Sequence, residues 1–175
     1  FVMECTEGNL HVGDTQWHAS DDEPDGLVNI KVTFYLEPVT AETGALRVIP
    51  GSHLPGFKEH MEPLVAQNTN PNAMPFGVSA EDVPAFVIES QPGDVVVFPE
   101  KLWHAAFGGA PGRSQHAISF NTNMVADEHL AYVRDIYSRT RHAWRPCESI
   151  INSDRPRLRR LVARLVELGF DSKPI

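Results

Sequence analysis

Trp17-His18-Ala19-Ser20-Asp21-Asp22 sets an imidazole and two carboxylates within four residues of one another, at the end of a short strand expected from Gly8 to Gln16. A second histidine lies far downstream, in Leu102-Trp103-His104-Ala105. Two histidines and one carboxylate can hold a ferrous ion on one triangular face and leave the opposite face open. Most of the chain around and between these two stretches reads as short strands.

Leu27 to Glu37 is the clearest of them. Val28, Ile30, Val32, Phe34 and Leu36 alternate with Asn29, Lys31, Thr33 and Tyr35, the period-2 pattern of a half-buried strand. Its polar side is expected to meet solvent or a wet cavity. Further strands are predicted over Ala45–Ile49 (stopped by Pro50-Gly51), Phe86–Glu89, Val95–Phe98, Trp103–Phe107 and Gln115–Asn121. From His53 to Pro84 about 30 residues rich in Pro, Asn and Gly show little periodicity. This segment reads as a lid, with Phe57, Met61, Met74 and Phe76 able to touch a substrate. Beyond Asn121 the period becomes helical. Leu130, Val133, Tyr137 and Trp144 share one face. A second helix is expected to start near Asp154 as N-cap, with Pro156 in its first turn. Leu158, Leu161, Val162, Leu165 and Leu168 form its apolar stripe, and Gly169 its C-cap. Strands followed by helices give a mainly β jelly roll over residues 1–125, with C-terminal helices over 126–175 packed on the same domain.

A chain of 175 residues with 42% hydrophobic and 22% charged residues has the composition of one globular domain. No apolar run approaches the ~20 residues of a membrane span. The net charge of −8 argues against nucleic acid as partner, since phosphate backbones need a basic footprint. Nine arginines between Arg134 and Arg164 read as solvated helix faces. Cys5 and Cys147 are too few for a disulfide framework, so a reduced, cytoplasmic protein is expected, as monomer or homodimer. The sequence opens without an initiator Met in what reads as mid-domain, so the natural N-terminus is expected to lie outside it.

Two further motifs fall in line with the histidines. Thr43-Gly44-Ala45-Leu46-Arg47-Val48-Ile49-Pro50-Gly51-Ser52-His53 comes first, then Gly93-Asp94-Val95-Val96-Val97-Phe98 ahead of Trp103-His104. From Gln16 to Asn123 the chain resembles the phytanoyl-CoA dioxygenase family of iron(II)/2-oxoglutarate oxygenases. The resemblance implies a double-stranded β-helix, cupin-like, with the metal at one mouth. It also implies Fe(II), 2-oxoglutarate as co-substrate and dioxygen. The implied reaction hydroxylates a small organic substrate while 2-oxoglutarate is decarboxylated to succinate.

Carried onto this chain, the resemblance makes His18 and His104 metal ligands. The family's carboxylate position falls on Ser20, and Asp21 comes one residue later. Asp21 is the favoured third ligand, provided the chain bulges or turns at Ala19-Ser20, because residues three apart on a regular strand face opposite ways. Asp22 remains open, as does the absence of any protein carboxylate, a halogenase-like site open to halide or water. The far carboxylate of 2-oxoglutarate needs a cation, best a guanidinium. The family's Arg position falls on Gln115. Arg113, two residues earlier on the same face, is the chosen cation, with Lys31 and Arg47 in reserve. Thr33 stands where the family often contacts 2-oxoglutarate, and His53 reads as structural. The departures at Ser20 and Gln115 keep open a non-catalytic jelly-roll binding protein with a degenerate metal site. A cupin-like metal enzyme that works without 2-oxoglutarate is a third reading.

Overall fold

The structure, a computed structural model, describes residues 2–3, 9–11, 15–20, 23–68, 70, 72–109, 113–139 and 146–170. Its strands are β1 (Val2–Met3), β2 (Asn9–His11), β3 (Thr15–His18), β4 (Asn29–Tyr35), β5 (Leu46–Val48), β6 (Phe86–Ile88), β7 (Val95–Pro99), β8 (His104–Ala106) and β9 (Arg113–Asn121). One sheet has the order β1-β9-β4-β7, with β2 also paired to β9, and the other the order β3-β8-β5-β6. From β2 to β9 the chain changes sheet at every connection except the one from β5 to β6. That interleaving is the winding of a jelly roll, and the fold is mainly β with helices after the last strand.

By compactness the chain forms two units. One comprises residues 1–7, 22–32 and 117–175, the other residues 8–21 and 33–116. In the first, helices α2 (Asp127–Arg139) and α4 (Pro156–Glu167) bury Val133 and Leu165 with Leu27, Met124 and Phe170. The sequence anticipates Asp154 as N-cap of α4. The cap is Arg155, which makes no side-chain capping bond. The C-terminal end behaves as expected. Gly169, at φ +75°, donates to Val166 O at 3.0 Å, and Phe170 N–H donates to Leu165 O at 3.0 Å. This is a Schellman closure, with Phe170 packed back onto Leu165. The short helix α3 (Glu148–Ile151) has no counterpart in the sequence reading. Cys147, just before it, is disulfide-bonded, where the sequence leads one to expect a free thiol. No helix among the described residues is long and apolar enough to cross a membrane.

In the second unit the β3-β8-β5-β6 sheet has two differently covered faces. Trp17, Ile49, Trp103, Ala105 and Phe107 pack on one face with Met61, Leu64 and Val83. Leu46 and Val48 turn the other way and pack with Phe98 and Leu102. The segment from His53 to Pro84, expected as a lid, covers the first of these faces. It does so through short helical turns that include α1 (Glu62–Val65). Met61 and Leu64 are buried in that core, and the Trp17 indole N–H donates to Ala80 O at 2.8 Å. Phe57, Met74 and Phe76 are exposed. The segment is a wall because Met61, Leu64 and Val83 supply the apolar surface that buries the outward-facing tryptophans.

The face assignment of β4 also reverses. Its polar residues Asn29, Thr33 and Tyr35 are the buried ones, while Val28 and Leu36 at its ends are exposed. Alternation told the two faces apart correctly. It could not tell which of them turns inward.

Candidate metal centre

His18 closes β3 and His104 opens β8, and the two are direct cross-strand partners. Between Thr15 and His18 the register of β3 slips against β8, a bulge that inserts one extra residue just before the histidine. The imidazoles lie with ring centroids 4.0 Å apart, tilted by 53°. His104 is buried and His18 partly so.

Both rings are held the same way. His18 Nδ1 lies 2.8 Å from Gln16 O, and His104 Nδ1 lies 2.7 Å from Leu102 O. A carbonyl oxygen only accepts, so each Nδ1 carries the proton. In the neutral ring the lone pair is then on Nε2. Two neighbouring imidazoles with the same tautomer, each locked by a backbone carbonyl, form a donor set suited to a divalent transition metal. The residues fit the ion. Phe98 meets the His104 ring edge-on at 4.8 Å and fixes its rotation from the side.

The motif around Pro50-Gly51 seats the second histidine. Ile49 N–H donates to Trp103 O at 3.0 Å, and the buried Ser52 hydroxyl accepts from Trp103 N–H at 2.9 Å. Both backbone polar groups of the residue before His104 are thus satisfied by one turn. Gly51, at φ +83°, permits that turn.

Asp21 and Asp22 lie outside the described residues. Strand β3 ends at His18, and Ser20 N–H donates to Glu100 O at 2.9 Å, so strand alternation no longer governs the chain at Ala19-Ser20. Among the described residues no group of three or more His, Cys, Asp or Glu comes together.

Gln115 and Thr33 do come together. The Gln115 amide donates to Thr33 Oγ1 at 3.0 Å, and that hydroxyl donates to His116 O at 3.1 Å. Thr33 is fully buried. Arg113 begins β9, but its side chain lies outside the described residues. Lys31 is half-buried and belongs to the other unit. Arg47 is ruled out as the co-substrate cation. It sits opposite Ala105 on the tryptophan face, where its guanidinium donates to Glu81 O at 2.7 Å and Ala41 O at 3.2 Å and lies 5.6 Å over the Phe107 ring. Leu46 and Val48, flanking it, face the other way. Sequence reasoning missed Ser52 and Phe98 as supports of His104, although both stand in the quoted motifs.

A jelly roll with two carbonyl-locked histidines at adjoining strand ends defines a cupin-like metal-binding class. The profile of the family described as Phytanoyl-CoA dioxygenase (PhyH) matches residues 4–116. The chain belongs to that family of iron(II)/2-oxoglutarate oxygenases. Two uncharacterised proteins, Mb1539 of Mycobacterium bovis and Rv1501 of Mycobacterium tuberculosis, are each 28% identical to it over 109 residues. The match covers 62% of this chain and 34% of each relative, so the chain spans about a third of their length. Among solved structures, AviO1 from Streptomyces viridochromogenes Tue57 is 22% identical with a TM-score of 0.46, covering 69% of this chain and 48% of that one. The non-heme alpha ketoglutarate dependent carbocyclase SnoK from nogalamycin biosynthesis is 22% identical with a TM-score of 0.44, covering 68% and 49%. Likenesses of this size carry no further argument, and family membership rests on the profile match.

Proposed function

We propose that this chain carries the metal centre of an iron(II)/2-oxoglutarate-dependent oxygenase that hydroxylates a small organic molecule and converts 2-oxoglutarate to succinate. The observation that supports this best is the matched pair His18 and His104, each held by Nδ1 to a backbone carbonyl. Their Nε2 atoms would hold the ion, with Asp21 as third ligand. Iron(II), when bound, supplies the activation of dioxygen that no side chain can perform. The chain's own part is to orient and to exclude water. Leu46, Val48, Phe98 and Leu102 make the surroundings of His104 apolar. Thr33 and Gln115 offer a hydroxyl and a carboxamide for 2-oxoglutarate, and Arg113 is the proposed cation for its far carboxylate.

One observation favours a second reading. At the family's arginine position Gln115 is neutral and already bonded to Thr33, as suits a metal-holding binding protein that turns over no 2-oxoglutarate. Anaerobic titration of the full-length protein with Fe(II) and 2-oxoglutarate separates the two. The oxygenase shows the weak visible charge-transfer band of the chelate and forms succinate in air. Asp21→Ala and Arg113→Ala weaken the band, while Ser20→Ala leaves it. Metal binding with neither band nor succinate gives the second reading, and failure to bind metal sinks both.

A further inference from the structure

Asn121 ends β9 fully buried, and neither its amide nitrogen nor its carbonyl oxygen has a hydrogen-bond partner. Asn29 begins the neighbouring strand β4 with 8% of its surface exposed, and its Oδ1 is likewise unpartnered. Thr122 N–H donates to Val28 O at 2.9 Å, which sets Asn29 and Asn121 opposite one another across the strand pair. The backbone beside them is well satisfied: Val28 N–H donates to Thr122 Oγ1 at 3.0 Å, and that hydroxyl lies 3.3 Å from Gly26 O. The groups that lack partners there are the Asn121 carboxamide and the Asn29 Oδ1. A buried polar group without a partner is costly and rare, and two adjacent ones rarely persist without something to bond. The apolar residues Leu27 and Met124, fully buried nearby in sequence, belong to the helix-packed core of the same unit.

We propose that Asn29 and Asn121 form a binding site for an uncharged group that both donates and accepts hydrogen bonds, the hydroxyl or carboxamide of a small organic molecule. Both side chains are neutral, and a carboxamide pair offers donors and acceptors but no counter-charge. An ionic group buried against them would keep its desolvation cost. The proposal does not depend on the oxygenase reading.

The test is side-chain NMR of the full-length protein labelled with 15N-asparagine. The two NH2 signals are assigned by their loss in Asn29→Ala and Asn121→Val. Glycerol and acetamide serve as probes. A saturable shift of both signals with either probe, abolished in Asn121→Val, is the expected result. Removing the unmet carboxamide should also raise the Tm of the probe-free protein by roughly 3–8 °C. Should Asn121→Val not fold, loss of probe binding in Asn29→Ala carries the same weight. Signals that stay fixed with both probes while exchanging with a long-lived bound water overturn the proposal, because the pair then holds structural water.

Discussion

The tautomer of the two histidines depends on atoms that no motif records. Gln16 and Leu102 contribute only their carbonyls, so their side chains leave no trace of the role in the sequence. That the two histidines belong together was legible, because each follows a tryptophan and falls at a family position, and the strands pair them directly. Arg47 was misleading, since strand alternation aims it away from the site. Asp21 was carried over from the family resemblance although it stands one residue past the family's carboxylate position, and it lies outside the described residues. His18→Ala and His104→Gln should each abolish tight binding of Co(II) or Ni(II) in calorimetry, by at least 100-fold for loss of one of three ligands. An unchanged affinity in either variant would remove that histidine from the metal site. Phe98→Leu removes the edge contact yet keeps the core filled. It should weaken metal binding several-fold with a small change in Tm, a split that simple unfolding does not produce.

At the scale of elements, the turn after β5 and the segment that follows it carry the site's rigidity. Ser52→Ala leaves Trp103 N–H buried without an acceptor, at a cost of about 1–3 kcal/mol. Ser52→Thr keeps the acceptor, so Tm and metal affinity should fall in the alanine variant and recover with threonine. Equal loss in both would mean that the pocket tolerates only serine's shape, and that the hydrogen bond is secondary. The preceding turn holds a titratable group. The Thr40 hydroxyl donates to Glu42 Oε2 at 2.8 Å and holds that carboxyl below its ordinary value of 4.5. A depressed carboxylate pKa adds stability that is fully present above the unfolded value and lost as pH falls through the folded one. Thr40→Val should therefore lower Tm slightly near neutrality, and the difference from wild type should vanish in acid below the ordinary carboxylate range. A gap that persists there would assign the effect to the rest of the turn. Most strands were legible from alternation and turn residues, but the single strand expected from Gly8 to Gln16 is two, β2 and β3, which belong to different sheets. The role of the segment from His53 to Pro84 was not, because a run of short helical turns shows neither period, and only packing reveals the face it covers.

The whole chain has the interleaved strand order that the motifs implied, followed by helices whose Schellman closure at Gly169 could be read from one residue. Its division into two units could not be read, since strands β4 and β9 each contribute to both. A metal that binds the folded chain and not the unfolded one stabilises it by mass action. Metal at about 100 times its dissociation constant adds about 2.7 kcal/mol, or roughly 5–10 °C in Tm for a chain of this size, reversed by chelation. An identical Tm with EDTA and with saturating Co(II) would count against a metal centre built from this chain alone. The tryptophan beside each candidate ligand histidine has a further consequence. Two of the chain's three indoles, Trp17 and Trp103, are covalent neighbours of the candidate ligands and are buried in one cluster. Their ultraviolet emission should dim when a paramagnetic ion enters and recover when it leaves, so the protein carries its own optical reporter of occupancy without any label.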